Sequence, residues 1–222
     1  MRHDTLSRRR MLALSLAAGG YALASPLATL IARERGLRRT PAQIEGPFYP
    51  VTRPLEEDAD LTAVSGRTGR ARGQLVYLAG RVLDLKGGPV AGARVEVWQA
   101  NSYGRYAHPH DRNDAPLDPD FQGFGVQRTD AQGRFHFKTV KPGPYPIPGA
   151  DAMRTPHIHF QVRTDANRFV TQMYFEGEPL NADDFELRRV AEKELLIARP
   201  LPPPPGREPG ALTLGWDIHI RR

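Results

Sequence analysis

Glycine and proline interrupt this chain so often that few segments are long enough for a helix of ordinary length. There are 21 Gly and 21 Pro among 222 residues. Both are poor inside helices, because glycine loses much conformational freedom on folding and proline lacks the amide hydrogen that the helix needs. The sequence therefore predicts short strands that are joined by turns and loops.

The segments between these breaks show the period of two that is expected for strands. At least six of them follow residue 73, at 75–84, 93–99, 133–138, 157–163, 169–175 and 212–220. Helical spacing of apolar residues occurs only over 183–194, which predicts one short helix. We expect an all-β domain, namely a β-sandwich of short, mostly antiparallel strands with long Pro/Gly-rich loops and at most one short helix.

The first 24 residues have the three parts of an export signal. Three arginines at 8–10 precede an apolar stretch at 11–24, which ends in small residues and is too short to span a bilayer. Residues 7–12 (SRRRML) resemble the twin-arginine signal. We expect a twin-arginine-type signal peptide over 1–24, an extended amino-terminal arm over 25–72, a sandwich core over 73–222, and a periplasmic or extracellular location.

The charge of the chain does not require a nucleic-acid partner. The formal net charge is +6, and removal of residues 1–24, which hold four Arg and one Asp, lowers it to +3. The absence of cysteine excludes disulfides, thiolate zinc sites and iron–sulfur clusters. No run of eighteen apolar residues occurs, so we expect no stable membrane insertion after signal cleavage.

Without cysteine, a metal site would need histidine, tyrosine or carboxylate ligands, and His157 and His159 form the pair to consider first. Two residues apart on a strand, they project from the same face and can reach one ion. Imidazole binds iron, copper, zinc and nickel, so the pair does not identify the metal. His108 and His110 have the same spacing within a polar stretch, for which a solvated loop is the favoured interpretation.

Two tyrosines, Tyr106 and Tyr145, lie in loops that could reach this pair. Prolines surround Tyr145 and stiffen its loop, which is typical of loops that aim a side chain. Phenolate is a hard oxygen donor, and a trivalent cation such as Fe(III) can lower the pKa of a bound tyrosine far enough to keep it deprotonated. Two histidines and two tyrosines without cysteine therefore indicate a ferric-type ligand set.

Several segments together resemble the intradiol ring-cleavage dioxygenases, with the greatest similarity to the branch that cleaves protocatechuate. The resemblance runs in chain order over roughly residues 44–180, and agreement of several motifs is more specific than any one. The segments are EGPFY at 45–49, VWQAN at 97–101 with GRY at 104–106, LDPDFQG at 117–123, KPGPY at 141–145, PHIHF at 156–160 and TQMYFEG at 171–177.

The resemblance implies roles for individual residues. Tyr106, Tyr145, His157 and His159 would be the ligands of a non-haem Fe(III), and Tyr145 would be the ligand that leaves the metal when substrate binds. Arg154 would support the charge on the activated substrate, and Gln172 would lie near the oxygen-binding region.

The implied activity is cleavage of catechol-type rings between their hydroxyls with O₂, which gives muconate-type diacids in the breakdown of aromatic compounds. The implied partners are a small catecholic substrate and O₂, without nucleic acid. The identity of the catechol and the formation of a homo-oligomer are left open.

Two other functions compete with this interpretation. An exported transthyretin-like β-sandwich binding module would keep the fold without catalysis. A periplasmic copper or zinc binder would use His157, His159 and His108, and it would leave both tyrosines without a role. The intact set of Tyr106, Tyr145 and the two histidines favours the dioxygenase over both.

Overall fold

The computed structural model describes residues 37–51, 58–147 and 149–222. The predicted signal peptide lies outside these residues, as does part of the predicted arm, so the division into signal, arm and core stays a prediction. Within the described ranges, no helix is long and apolar enough to cross a membrane.

Eleven strands and a single-turn α-helix, Phe185–Arg188, make up the described fold, together with two short 3₁₀ turns. All six predicted strand segments contain strands, and the all-β prediction is confirmed. The strands are β1 (Leu75–Asp84), β2 (Arg94–Trp98), β3 (Phe124–Arg128), β4 (Arg134–Val140), β5 (Tyr145–Pro146), β6 (Met153–Arg154), β7 (His157–Arg163), β8 (Arg168–Phe175), β9 (Ile197–Pro200), β10 (Leu212–Gly215) and β11 (Ile218–Ile220).

The hydrogen-bonded order β11-β1-β10-β9-β8-β7-β2-β3, with β4 on β1, forms a sheet that nearly closes on itself. Most pairs are antiparallel, but β1 pairs in parallel with β10 and β11, and β8 with β9. Predicted segment 212–220 is split at Trp216 and Asp217, because β1 changes partner there from β10 to β11.

The two halves of this sheet face each other across one apolar core. Phe160 of β7 is fully buried, and its ring centroid lies 5.9 Å from that of Phe135 on β4 and 5.0 Å from that of Trp216. Because side chains alternate along β7, Phe160 points into this core while its neighbours His157 and His159 share one face. The two histidines therefore lie on the face of β7 opposite the one that packs into this core.

The predicted helix over 183–194 is reduced to the one turn Phe185–Arg188, with 3₁₀ turns at Pro179–Ala182 and Lys193–Leu196. Asp184 caps the turn by accepting hydrogen bonds from the amides of Glu186 and Leu187. Leu187 is the only buried residue of the helix. An apolar face of one residue cannot stabilise a longer helix, so helical spacing alone overestimated its length.

Residues 40–44 run along β8 without forming a helix or strand. The Gln43 amide donates to the Val170 carbonyl (3.1 Å), and the Thr171 hydroxyl donates to the Pro41 carbonyl (2.8 Å). This segment and β7 flank the same stretch of β8, and the candidate site lies where they meet.

Candidate functional site

His157 and His159 are buried side by side on one face of β7. Their Nε2 atoms lie 3.2 Å apart. His157 Nδ1 lies 2.6 Å from the Thr155 carbonyl, to which it can only donate, so Nε2 of the neutral ring keeps its lone pair. His159 stacks on Trp98 with ring centroids 4.9 Å apart, which fixes the plane of its imidazole.

Tyr106 is delivered by a turn that Asn101 organises just after β2. The Asn101 side chain accepts hydrogen bonds from the amides of Tyr103 (2.9 Å) and Arg105 (3.1 Å). The Tyr106 amide then donates to Asp111 Oδ2 (2.7 Å). Because Asn side chains readily form such turns, Asn101 determines the conformation of the loop that positions Tyr106.

Two glycines bring the Tyr106 turn against the loop that carries Tyr145. Gly104 has a φ of +83°, and a Cβ there would lie 2.1 Å from the Pro144 carbonyl oxygen. A Cβ on Gly143 would lie 2.6 Å from the Gly104 nitrogen. The Gly143 amide also donates to the Asn101 carbonyl (2.9 Å). Only glycine permits this close approach of two backbones, which places the two tyrosines next to each other.

The four predicted ligands converge. Ring centroids are 5.6 Å apart for Tyr106 and Tyr145, 5.7 Å for Tyr145 and His157, and 6.3 Å for Tyr106 and His159. All four side chains are buried. Phe48 stacks on Tyr106 at 4.6 Å and covers it from the arm side. The site is therefore shielded from solvent by aromatic side chains.

Arg154 is buried beside this cluster and is held by three side chains. Its Nε donates to Asp184 Oδ2 (2.8 Å), and its Nη2 donates to Gln172 Oε1 (2.7 Å) and to the Tyr174 hydroxyl (3.3 Å). Arg154 pairs with Tyr145 in the short β5–β6 ladder. Gln172, fully buried, lies opposite His159 in the β7–β8 register. The structure thus brings all six predicted site residues together.

Burial is the largest cause of the pKa shifts of the two tyrosines and the two histidines. It raises the pKa of Tyr106 well above its ordinary value, and it raises the pKa of Tyr145 against the opposing charge of Arg154. It lowers the pKa of both histidines well below the ordinary range, and Arg154 adds to this effect. For Arg154 itself burial opposes the charge, but Tyr145 and Asp184 outweigh it, so its pKa is raised and it stays cationic.

These residues fit a hard metal ion that takes nitrogen and phenolate oxygen. Two nitrogens that share one ion at about 2.1 Å each lie roughly 3 Å apart, close to the spacing of the two Nε2 atoms. The Tyr106 hydroxyl is buried without a hydrogen bond of good geometry in the described ranges. The same ranges contain no cluster of three or more His, Asp or Glu that could hold a metal, so His108 does not join the histidine pair. A metal here needs the tyrosines.

Sequence reasoning missed the residues that hold Arg154 and cover Tyr106. Tyr174 shares a face of β8 with Gln172, so period-two alternation could have identified it. Asp184 could be recognised as a helix cap, but its contact with Arg154 spans thirty positions and leaves no local signal. Tyr49, whose role the sequence leaves open, donates to Glu96 (2.8 Å), whereas its neighbour Phe48 contacts Tyr106.

Substituting Gly104→Ala tests the backbone contact between the two tyrosine loops. We expect it to lower the free energy of unfolding by about 1–3 kcal/mol more than Gly92→Ala, since Pro144 cannot retreat without moving Tyr145. Gly92 is the matched control, because it has a φ of +72° and a Cβ added there would have no other atom within 4 Å. Urea unfolding measures both; equal losses would show that the contact is unimportant.

Substituting Asp184→Asn tests the buried ion pair with Arg154. Removal of the carboxylate leaves a buried guanidinium without its counter-charge, and such losses cost about 3–5 kcal/mol. The control is Glu194→Gln, which breaks the exposed pair with Arg38 and should change stability little. A similar, small effect of both substitutions on urea unfolding would contradict the assignment of Asp184.

Comparison with known proteins identifies the family of this chain. A family model described as "Dioxygenase" matches residues 44–219. The chain is 48% identical over 147 residues to the protocatechuate 3,4-dioxygenase beta chain of Burkholderia cepacia, which covers 64% of this chain and 63% of the relative. It is 35% identical over 194 residues to catechol 1,2-dioxygenase 1 of Acinetobacter lwoffii, with coverage of 79% and 56%.

Among solved structures, the dioxygenase domain of a carbohydrate-binding protein fusion from Streptomyces sp. SirexAA-E matches with a TM-score of 0.61 and 25% identity. That match covers 83% of this chain and 99% of the other. The chain spans less than two thirds of the length of the two curated relatives, at 63% and 56%. By the extent of the family match and the motifs it contains, the chain belongs to the intradiol ring-cleavage dioxygenase family.

Proposed function

We propose that this protein is a non-haem Fe(III)-dependent intradiol dioxygenase. It cleaves catechol-type rings between the two hydroxyl-bearing carbons with O₂ and gives muconate-type diacids. The observation that supports this most directly is the convergence of two imidazole Nε2 atoms, 3.2 Å apart, with two buried tyrosines. Tyr106, Tyr145, His157 and His159 are the proposed ligands.

Ferric iron, when bound, supplies a Lewis acid that orients the catechol and makes its ring reactive toward O₂. The protein supplies the proton acceptor. Tyr145 Oη, deprotonated as a proposed metal ligand, would accept a proton from a catechol hydroxyl. Both tyrosines must first lose their own protons when the metal binds, so binding releases protons.

Arg154 provides a fixed positive charge beside the reacting ring. It stays cationic although it is buried, and its donors are oriented by Asp184 and Gln172 before any substrate arrives. A preorganised charge in a site shielded from water stabilises developing negative charge without reorganisation. Phe48 and Trp98 contribute by excluding water from Tyr106 and His159.

The substrate class rests on what the relatives share. Their names specify protocatechuate, catechol and hydroxyquinol, which are all 1,2-dihydroxy aromatic compounds. We propose this common ring as the substrate, with O₂ as the second reactant. A β-sandwich binding module without catalysis is disfavoured, because loss of activity would be expected to break the set of Tyr106, Tyr145, the two histidines and Arg154, which is intact.

The visible absorption spectrum of the iron-loaded protein tests this proposal. A tyrosinate–Fe(III) centre should give a reddish charge-transfer band that shifts when catechol is added without oxygen. Tyr106→Phe should weaken or abolish the band and reduce turnover by at least 100-fold, the scale on which loss of one preorganised group acts.

Tyr103→Phe is the matched control, because Tyr103 lies in the same turn but is 39% exposed and lies outside the ring cluster. It should keep the band and the activity. A colourless protein after iron loading, with no response to catechol, would exclude the ferric centre and favour the binding module.

We also propose export through the twin-arginine-type signal at 1–24. Changing Arg8 and Arg9 together to Lys should retain the chain in the cytoplasm, because this signal requires the paired arginines. Fractionation of expressing cells and intact mass of the product measure location and cleavage. Arg2→Lys serves as the control for an Arg-to-Lys exchange outside the arginine pair, and unchanged export of the double variant would contradict the assignment.

A further inference from the structure

The segment Gln43 to Tyr49, here called the cover segment, lies against two residues of the proposed site. The Ile44 carbonyl accepts a hydrogen bond from Gln172 Nε2 (3.0 Å). Gly46 follows with a φ of +73°, and a Cβ there would lie 3.3 Å from His159 Cε1. One short stretch of backbone thus contacts both His159 and Gln172.

His159 is sensitive to where this segment lies. Its Nδ1 is buried and makes no hydrogen bond of good geometry within the described ranges. Metal-ligating histidines usually donate the second ring N–H to a carbonyl or carboxylate, which fixes the tautomer that leaves Nε2 for the metal. His157 has such a partner in the Thr155 carbonyl, whereas His159 has the backbone of the cover segment packed against its ring at Gly46.

The cover segment is fastened at its end by Glu96. The Tyr49 hydroxyl donates to Glu96 Oε2 (2.8 Å), and the Tyr49 ring packs edge-on against Trp98 at 5.0 Å. Glu96 is fully buried on β2. A hydrogen bond to a buried carboxylate is among the strong ones, so this contact resists displacement of the segment.

A second connection reaches the same carboxylate from the start of the segment. Gln161 Nε2 donates to Glu96 Oε2 (2.5 Å), and Gln161 Oε1 accepts from Arg168. Arg168 in turn pairs with Glu45. This outer ion pair is partly exposed and therefore weaker, so the buried contacts of Glu96 carry most of the restraint.

The strand register explains why this network is adjacent to the site. Glu96 pairs with Gln161, and two residues further along, on the same face, Trp98 pairs with His159. His159 in turn lies opposite Gln172. The Glu96 network therefore occupies the rung next to the one that carries the proposed ligand.

We propose that Glu96 is a positioning residue that acts through the cover segment, holding the Ile44 carbonyl on Gln172 and the Gly46 backbone against His159. This inference rests on the proposed function. The role needs a carboxylate, because Glu96 accepts from the Tyr49 hydroxyl, Gln161 Nε2 and Arg94 Nε. A glutamine has one acceptor oxygen, and its amide nitrogen would face at least one of these donors.

The test compares Glu96→Gln and Tyr49→Phe with Asp130→Asn. Asp130 is the matched control, since it also accepts several hydrogen bonds, from Gln132 and Arg134, at the β3–β4 turn. In metal-free protein, hydrogen exchange of the Gln43 amide, which donates to the Val170 carbonyl, should accelerate at least 10-fold in Glu96→Gln, and nitrogen NMR should show a changed tautomer population of His159, because the backbone packed on its ring has moved. Tyr49→Phe, which keeps the ring, should give a smaller change in the same direction.

In iron-loaded protein, Glu96→Gln should weaken Fe(III) binding about 10–100-fold, as loss of outer-sphere partners does, with Asp130→Asn unchanged. Exchange and tautomer results that match the control in both variants would overturn the proposal. Tyr49→Phe keeps the test decisive if Glu96→Gln fails to fold. If wild-type protein shows no iron-dependent band, the proposed function fails, while exchange and tautomer data still decide whether Glu96 positions His159.

Discussion

A buried arginine sets the conditions for the rest of the site. Arg154 cannot discard its proton, so the surrounding structure must neutralise and hydrogen-bond its charge, and Asp184, Gln172 and Tyr174 do so. Asp184 also caps the one-turn helix and accepts a hydrogen bond from the Thr155 amide, two residues before His157. Asp184 thereby connects the Arg154 guanidinium, the one-turn helix and the backbone that leads into β7, which restrains the position of the histidine pair.

Register across three strands provides the second constraint. Trp98, His159 and Gln172 are paired on neighbouring strands, so one rung of the sheet carries an aromatic support, an imidazole and an amide. A slip of one residue would turn all three toward the packed core. Phe160, on the opposite face, prevents this because it packs among Phe135, Phe137 and Trp216. The packing of Phe160 in the core therefore fixes which face of β7 carries the two histidines.

The sequence was most informative where the functional residues lie close together within one strand or one short motif. His157 and His159, two residues apart on β7, could be placed on one face from their spacing alone. The all-β class followed from the Gly and Pro breaks. Asp184, Phe48 and Glu96 could not be assigned, because their contacts join segments far apart in the chain. That Arg154 is buried and paired could not be predicted, because its partner Asp184 lies thirty positions away. The predicted helix was too long because helical spacing of apolar residues does not show whether those residues are buried.

Several buried polar atoms around the candidate site make no hydrogen bond within the described ranges. Buried atoms of Trp98, Tyr106, His108 and His159 lack hydrogen bonds of good geometry within the described ranges. Ring contacts connect Trp98 to His159, His159 to Tyr106, and Phe48 to both Tyr106 and His108. Native cores rarely tolerate such groups, because each costs the desolvation of a donor or acceptor. Local rules are broken mainly where function requires it, so the Tyr106 hydroxyl and His159 Nδ1, which are unpartnered in the described part of the chain, are themselves an argument that these two residues are built to meet a ligand.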